Sequence, residues 1–231
     1  MKKLFLSLAL MLVAATAAMA QSFDLRIEAA PLFNVSKTTG TGISDLWASR
    51  TSVGYRAAVG VDINLSKGLY LNTGLTATMK GNILEGAVSG KEGQVTNQIH
   101  YLQIPINVGY KYMLTRTMGV GVQAGPYFSY ALGGKTKGGL AGAKESYDIF
   151  KAGILGLQPR RFDMGIGIQA QGYMMGFYLM AGADLGLINT LQNKEASADG
   201  TIKGWIDSMI QSATNAKMNN TAFYVGVGYT F

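Results

Sequence analysis

The chain of 231 residues contains no cysteine, one histidine, four prolines and only 14% charged residues. Each scarcity excludes something. Without thiols there is no disulfide framework, no thiolate metal site and no cysteine nucleophile. With His100 as the only imidazole, any Ser-His or Asp-His hydrolase chemistry has one possible base. The acidic residues do not gather in a metal-binding loop pattern, so neither a metal nor a cofactor is expected. A charged fraction this small is foreign to a soluble domain, where about 25% is usual. What the chain has instead is 31 glycines and a tyrosine excess, 12 against nine phenylalanines, the composition of a membrane-spanning β-barrel.

The opening residues read as an export leader. Lys2 and Lys3 precede an apolar run from Leu4 to Val13, and small residues follow as far as Ala18-Met19-Ala20. That run is shorter than the roughly 20 residues that a spanning helix needs. Cleavage after Ala20 divides the chain into a signal peptide, 1–20, and a barrel domain, 21–231. No cysteine is available for a lipid anchor. Without the two leader lysines the count is 18 bases against 13 acids, a surplus of five. No basic face accompanies it, so nucleic acid is not an expected partner.

Beyond the leader, about eight segments alternate between an oily parity and a polar one, the period of a strand with unlike faces. They run from Phe23 to Val35, Val53 to Leu65, Leu69 to Lys80, Tyr101 to Tyr112, Val120 to Tyr130, Arg161 to Gln171, Phe177 to Leu187 and Phe223 to Phe231. Tight turns at Ser66-Lys67-Gly68, Thr115 to Met118 and Met174 to Gly176 alternate with long links over 36–51, 81–97, 133–159 and 190–219. The fold class expected is all-β, an eight-stranded antiparallel up-and-down transmembrane barrel with short periplasmic turns and long exterior loops. Short helices are anticipated over Lys144 to Leu157 and Ile202 to Ala213. Pro31, Pro105 and Pro126 fall inside strands, where bulges or strand ends are expected.

The inward parity collects Asp24, Glu28, Asp62, Asp163 and Asp184 against Arg26, Arg56, Lys80, Lys111 and Arg161, five acids to five bases. A basic residue on the lipid face at mid-membrane costs about 2–4 kcal/mol, which explains why the outward parities carry no charge. A barrel of eight strands has room only for its own side chains. The expected interior is therefore plugged by paired charges and by Tyr, Gln and Asn hydrogen bonds, with no continuous channel. Gly134-Lys135-Thr136 fails as a phosphate loop because position 129 is serine, and Gly119-x-Gly121 and Gly165-x-Gly167 lack the helix that a dinucleotide fingerprint requires.

Tyr224-x-Gly226-x-x-Tyr229-x-Phe231 resembles the assembly signal that ends bacterial outer-membrane proteins, which implies delivery to the barrel-assembly machinery. Tyr101-Leu102-Gln103-Ile104-Pro105-Ile106, with Gly109-Tyr110-Lys111-Tyr112, resembles the PorT-like outer-membrane barrel family of Bacteroidetes. Gly125-Pro126-Tyr127, Arg161-Phe162-Asp163-x-Gly165, Gly186-Leu187-Ile188-Asn189 and the terminal Gly226-x-Gly228-Tyr229-x-Phe231 continue the likeness in order. In place of that family's usual Gly-x-x-x-Gly opening, this chain has Ile27 to Asn34. The resemblance implies a small barrel in the outer membrane, in contact with its lipid. The function expected is non-enzymatic, with exterior loops carrying Trp47, Tyr147 and Trp205 toward an unknown partner or ligand, or simple stabilisation of the membrane. The alternatives are a narrow pore for small solutes, a hydrolase using His100, and a soluble lipocalin-type barrel, which the oily outward parities oppose.

Overall fold

The computed structural model describes residues 23–39, 47–88, 91–140, 145–152, 158–188, 191–192 and 217–231. The leader, the helix anticipated over 202–213 and Trp205 lie outside the described residues, as do the side chains of Trp47 and Tyr147. Eight long strands form the wall: β1 Phe23–Thr39, β2 Ser52–Ser66, β3 Leu69–Val88, β4 Lys91–Met113, β5 Met118–Leu140, β6 Phe162–Met174, β7 Phe177–Gly186 and β8 Lys217–Thr230. Each pairs antiparallel with its sequence neighbours, and β1 also pairs with β8, from Arg26 opposite Thr230 to Thr39 opposite Lys217. The sheet therefore closes and leaves the hydrocarbon no unpaired edge.

The alternation that makes these segments strands also sorts their side chains. Leu25, Ile27, Val59, Leu75, Val108, Val122, Ile168, Leu179 and Val225 face outward and are exposed. Arg26, Asp62, Thr76, Gln103, Gln123, Gln169 and Tyr224 face inward and are buried. At the turn end, Lys67 and Gly68 (φ 47° and 89°) and Met175 and Gly176 (φ 53° and 84°) form two-residue hairpins of the primed kind, whose twist matches the strands they join. Backbone bonds from Lys111 N to Gly68 O (2.7 Å), Met175 N to Thr117 O (2.8 Å) and Phe231 N to Leu25 O (2.8 Å) tie neighbouring staves together there.

The loop end departs from expectation. Residues 81–88, 91–97 and 133–140 continue the β3, β4 and β5 ladders well past the barrel wall instead of leaving as loops. A short strand, Trp47–Arg50, pairs with β3, and another, Glu145–Asp148, pairs with β5. The alternation simply continues there with polar residues. Helix α1, Ile149–Ala152, is the one turn realised within the segment 144–157 among the described residues.

The three prolines also behave otherwise than anticipated. Each keeps a regular partner on one side, Pro31 opposite Tyr55, Pro105 opposite Tyr127 and Pro126 opposite Ile166, while the ladder on its other side skips two pairs without changing register. The intact ladder fixes the alignment, so the missing donor costs one bond and no bulge. The register shifts lie instead at Asn64/Ser66 and at His100/Tyr101.

Candidate functional site in the barrel lumen

The lumen is filled by buried polar clusters, the largest of them built around Arg26 and Arg56. Arg26 is 1% exposed and is its crossbar. Its guanidinium donates to Asp62 Oδ1 and Oδ2 (2.9 and 3.2 Å), Glu28 Oε1 (2.7 Å), Gln123 Oε1 (3.2 Å) and Tyr178 Oη (3.0 Å). Those partners sit on β1, β2, β5 and β7, so a single side chain links half the staves. Asn72 donates to Asp62 at 2.8 Å, and Glu28 Oε1 also accepts from Gln169 (3.1 Å) and Tyr178 (3.0 Å).

Arg56 continues the chain toward the loop end, but is held less closely: 3.4 Å to Asp184 Oδ2 and 3.9 Å to Glu28 Oε2. Its guanidinium lies 4.6 Å from the centre of the Tyr224 ring. Gln103 donates to the same Asp184 oxygen at 3.1 Å. Higher still, Lys80 Nζ is 3.2 Å from Asp163 Oδ2 and 4.5 Å from the Tyr127 ring centre. At the opposite mouth, half-buried Lys111 and Asp24 meet at 3.6 Å. The sequence therefore named nine ionisable residues that the fold brings into the lumen.

Arg161 is the exception. It is exposed at the loop end, with Nη1 donating to Ala131 O at 3.3 Å and its guanidinium 4.2 Å from the Phe150 ring centre. The alternation assigned it inward, but it precedes the first residue of β6, where the wall no longer encloses a side chain. The lumenal count is therefore four bases to five acids, and the surplus carboxylate belongs to the chain Asp62, Arg26, Glu28, Arg56, Asp184.

The inward tyrosines form a second set, whose glycine partners the sequence did not name. The rings of Tyr70, Tyr178, Tyr224, Tyr127 and Tyr173 lie over Gly109, Gly228, Gly182, Gly165 and Gly121 of neighbouring strands. A β-carbon on those glycines would stand 2.2 to 3.0 Å from the ring. Their hydroxyls then reach the network: Tyr70 donates to Gln123 (3.1 Å), Tyr224 to Gln169 (3.0 Å) and Tyr173 to Gln171. Inward tyrosine was visible as a parity, but its glycine partner depends on register between strands.

The terminal motif is divided by the wall. Tyr224 and Gly226 face the lumen, whereas Tyr229 and Phe231 face outward, their rings 4.8 Å apart. His100 faces outward near the loop end, and its Nδ1 lies 3.1 Å from Tyr55 Oη. Its hydrogen-bond partner is thus a phenol on the wall. Among the described residues no three His, Cys, Asp or Glu side chains gather as metal ligands.

A closed eight-strand wall with an oily exterior and a charge-paired interior is the architecture of a small outer-membrane barrel. Residues 19–192 match the sequence profile of the outer membrane protein beta-barrel domain. The chain belongs to this family. The protein is an outer-membrane β-barrel, and its turn end accordingly faces the periplasm and its loop end the exterior. The matched stretch stops short of β8, the stave on which closure depends. No curated protein sequence matches the chain.

Among solved structures the barrel is similar to the outer membrane protein OprG from Pseudomonas aeruginosa, at 12% identity and a TM-score of 0.48, covering 91% of this chain and 96% of that one. It is also similar to the attachment invasion locus protein Ail of Yersinia pestis, solved with the heparin analogue sucrose octasulfate. That match has 12% identity and a TM-score of 0.42, covering 91% and 100% of the two chains. Neisserial surface protein A gives 13% identity, a TM-score of 0.39 and 90% and 97% coverage.

Proposed function

We propose that this barrel is a non-enzymatic membrane anchor whose plugged interior braces the wall that carries the exterior strand extensions toward a partner or ligand. The observation that carries the reading is the Arg26 crossbar, whose bonds to four strands leave its level of the lumen without a passage. Outer-membrane lipid is its surrounding partner. Tyr229 and Phe231, outward on the closing strand, are the residues offered to the barrel-assembly machinery, while Tyr224 and Gly226 serve packing. The narrower kinship with PorT-like barrels rests on the short motifs that run in order from Tyr101 to Phe231 and carries no role with it.

Planar-bilayer recording of the refolded protein tests the plug. No steady conductance is expected, and a reproducible single-channel step would refute it. A second reading, a narrow pore for small solutes, has one supporting observation: two cavities of about 10 Å³ each are lined by Arg56, and the adjoining charge chain holds a surplus carboxylate. Such spaces are at the limit for one water molecule each, which favours the plug.

A further inference from the structure

The register shift at His100/Tyr101 changes which residues of β5 face the membrane. Below it the outward residues are Phe128, Tyr130 and Leu132, all exposed. Tyr101 pairs with Ala131 but His100 with Gly133, so one extra residue is absorbed between them and the parity reverses. Above it Gly134 and Thr136 face inward. A β-carbon on Gly134 would meet buried Ile149, and Thr136 Oγ1 donates to Oδ1 of buried Asn97 at 2.9 Å. Lys135 and Lys137 are thereby turned outward, and both are exposed. Without the shift they would point into the lumen.

Arg160 adds a third exposed cation at the same end of the wall, two residues before outward Phe162 on the strand that pairs with β5. Among the described residues, Lys135, Lys137 and Arg160 form no ion pair, although Asp148 stands opposite Lys135 in the register. Lys135 and Lys137 follow outward Leu132 and Arg160 precedes outward Phe162, so all three stand on the exterior side of the oily belt. The surroundings there are the headgroups of the exterior leaflet and not the lumen. Basic side chains at that level attract anionic headgroups by about 1 kcal/mol each, and lysine and arginine both suit phosphate.

We propose that Lys135, Lys137 and Arg160 form a docking surface for the phosphates of an outer-leaflet glycolipid of the lipid A type. The bulge aims two of the three groups, so the site is a property of register as well as of composition.

The test uses the full chain refolded in neutral detergent and titrated with diphosphoryl lipid A, with binding read as a rise in the thermal unfolding midpoint. The variant K135Q/K137Q removes two charges from exposed positions and leaves polar side chains there, so its fold is expected to persist. Affinity is expected to fall roughly thirtyfold in the variant, and the wild-type rise is expected to shrink in high salt. A dephosphorylated lipid A should produce no rise, and inorganic phosphate at the same concentration should be equally silent. The proposal is overturned if the variant keeps the wild-type affinity, if the dephosphorylated lipid binds as well, or if free phosphate reproduces the effect.

Discussion

The two halves of the lumen are built from the same residue types and held to different standards. In the periplasmic half, Arg26 donates to Tyr178, Asp62, Gln123 and Glu28 at 2.7 to 3.2 Å. In the exterior half, Arg56 Nε has no hydrogen-bond partner, and Asp163 Oδ1, Tyr101 Oη, Thr76 Oγ1 and Thr78 Oγ1 are likewise buried without one. The periplasmic half carries fewer such atoms, Gln171 Nε2 and Thr230 Oγ1. A satisfied buried charge network locks one geometry, while unpaired buried polar atoms cost about 1–3 kcal/mol each unless water reaches them. The contrast teaches that the barrel is braced near the periplasm and kept adaptable beneath the exterior strands.

Four substitutions break or sharpen this contrast. Arg26→Ala strands Asp62 and Glu28 in the braced half and should cost about 3–5 kcal/mol in urea unfolding from lipid vesicles. A loss below about 1 kcal/mol would mean that the crossbar is not a brace. Tyr178→Phe removes a hydroxyl that accepts from Arg26 and donates to Glu28, both at 3.0 Å. Bonds to charged groups set its expected cost at roughly 1.5–3 kcal/mol by the same measurement.

Gly228→Ala would press a β-carbon to 2.2 Å from the Tyr178 ring, for an expected loss of about 1–3 kcal/mol from overpacking. Adding Tyr178→Leu to that variant should recover part of it, and failure to do so would place the strain elsewhere. The smallest effect belongs to the adaptable half. Tyr101→Phe deletes an unpaired hydroxyl and should leave stability unchanged or raise it by up to about 1 kcal/mol. A clear loss in the same unfolding assay would show that the hydroxyl has a partner, and the contrast between the halves would weaken.

Much of this was legible in the chain because a period of two is a local property. Leu25, Arg26 and Ile27 declare the wall's two faces without knowledge of any neighbour. What depends on pairing was not legible. The glycines under the tyrosine rings reveal their role only when β7 lies beside β8, as Tyr178 lies opposite Gly228. The bulge beside His100 was hidden because Gly133 and Gly134 carry no side chain to mark a face. Arg161 was misassigned by extending the alternation one residue beyond the strand. The exterior extensions of β3 to β5 were read as links because Asn82, Asn97 and Thr136 are polar, yet they form a hydrogen-bonded row of their own.

The pairing of β1 with β8 makes completion a single late event. Until the stretch Lys217–Thr230 is in place, Phe23–Thr39 and Phe177–Gly186 each present bare amides to the bilayer. A partly synthesised copy therefore has no comfortable resting place in lipid, and insertion must wait for the whole polypeptide.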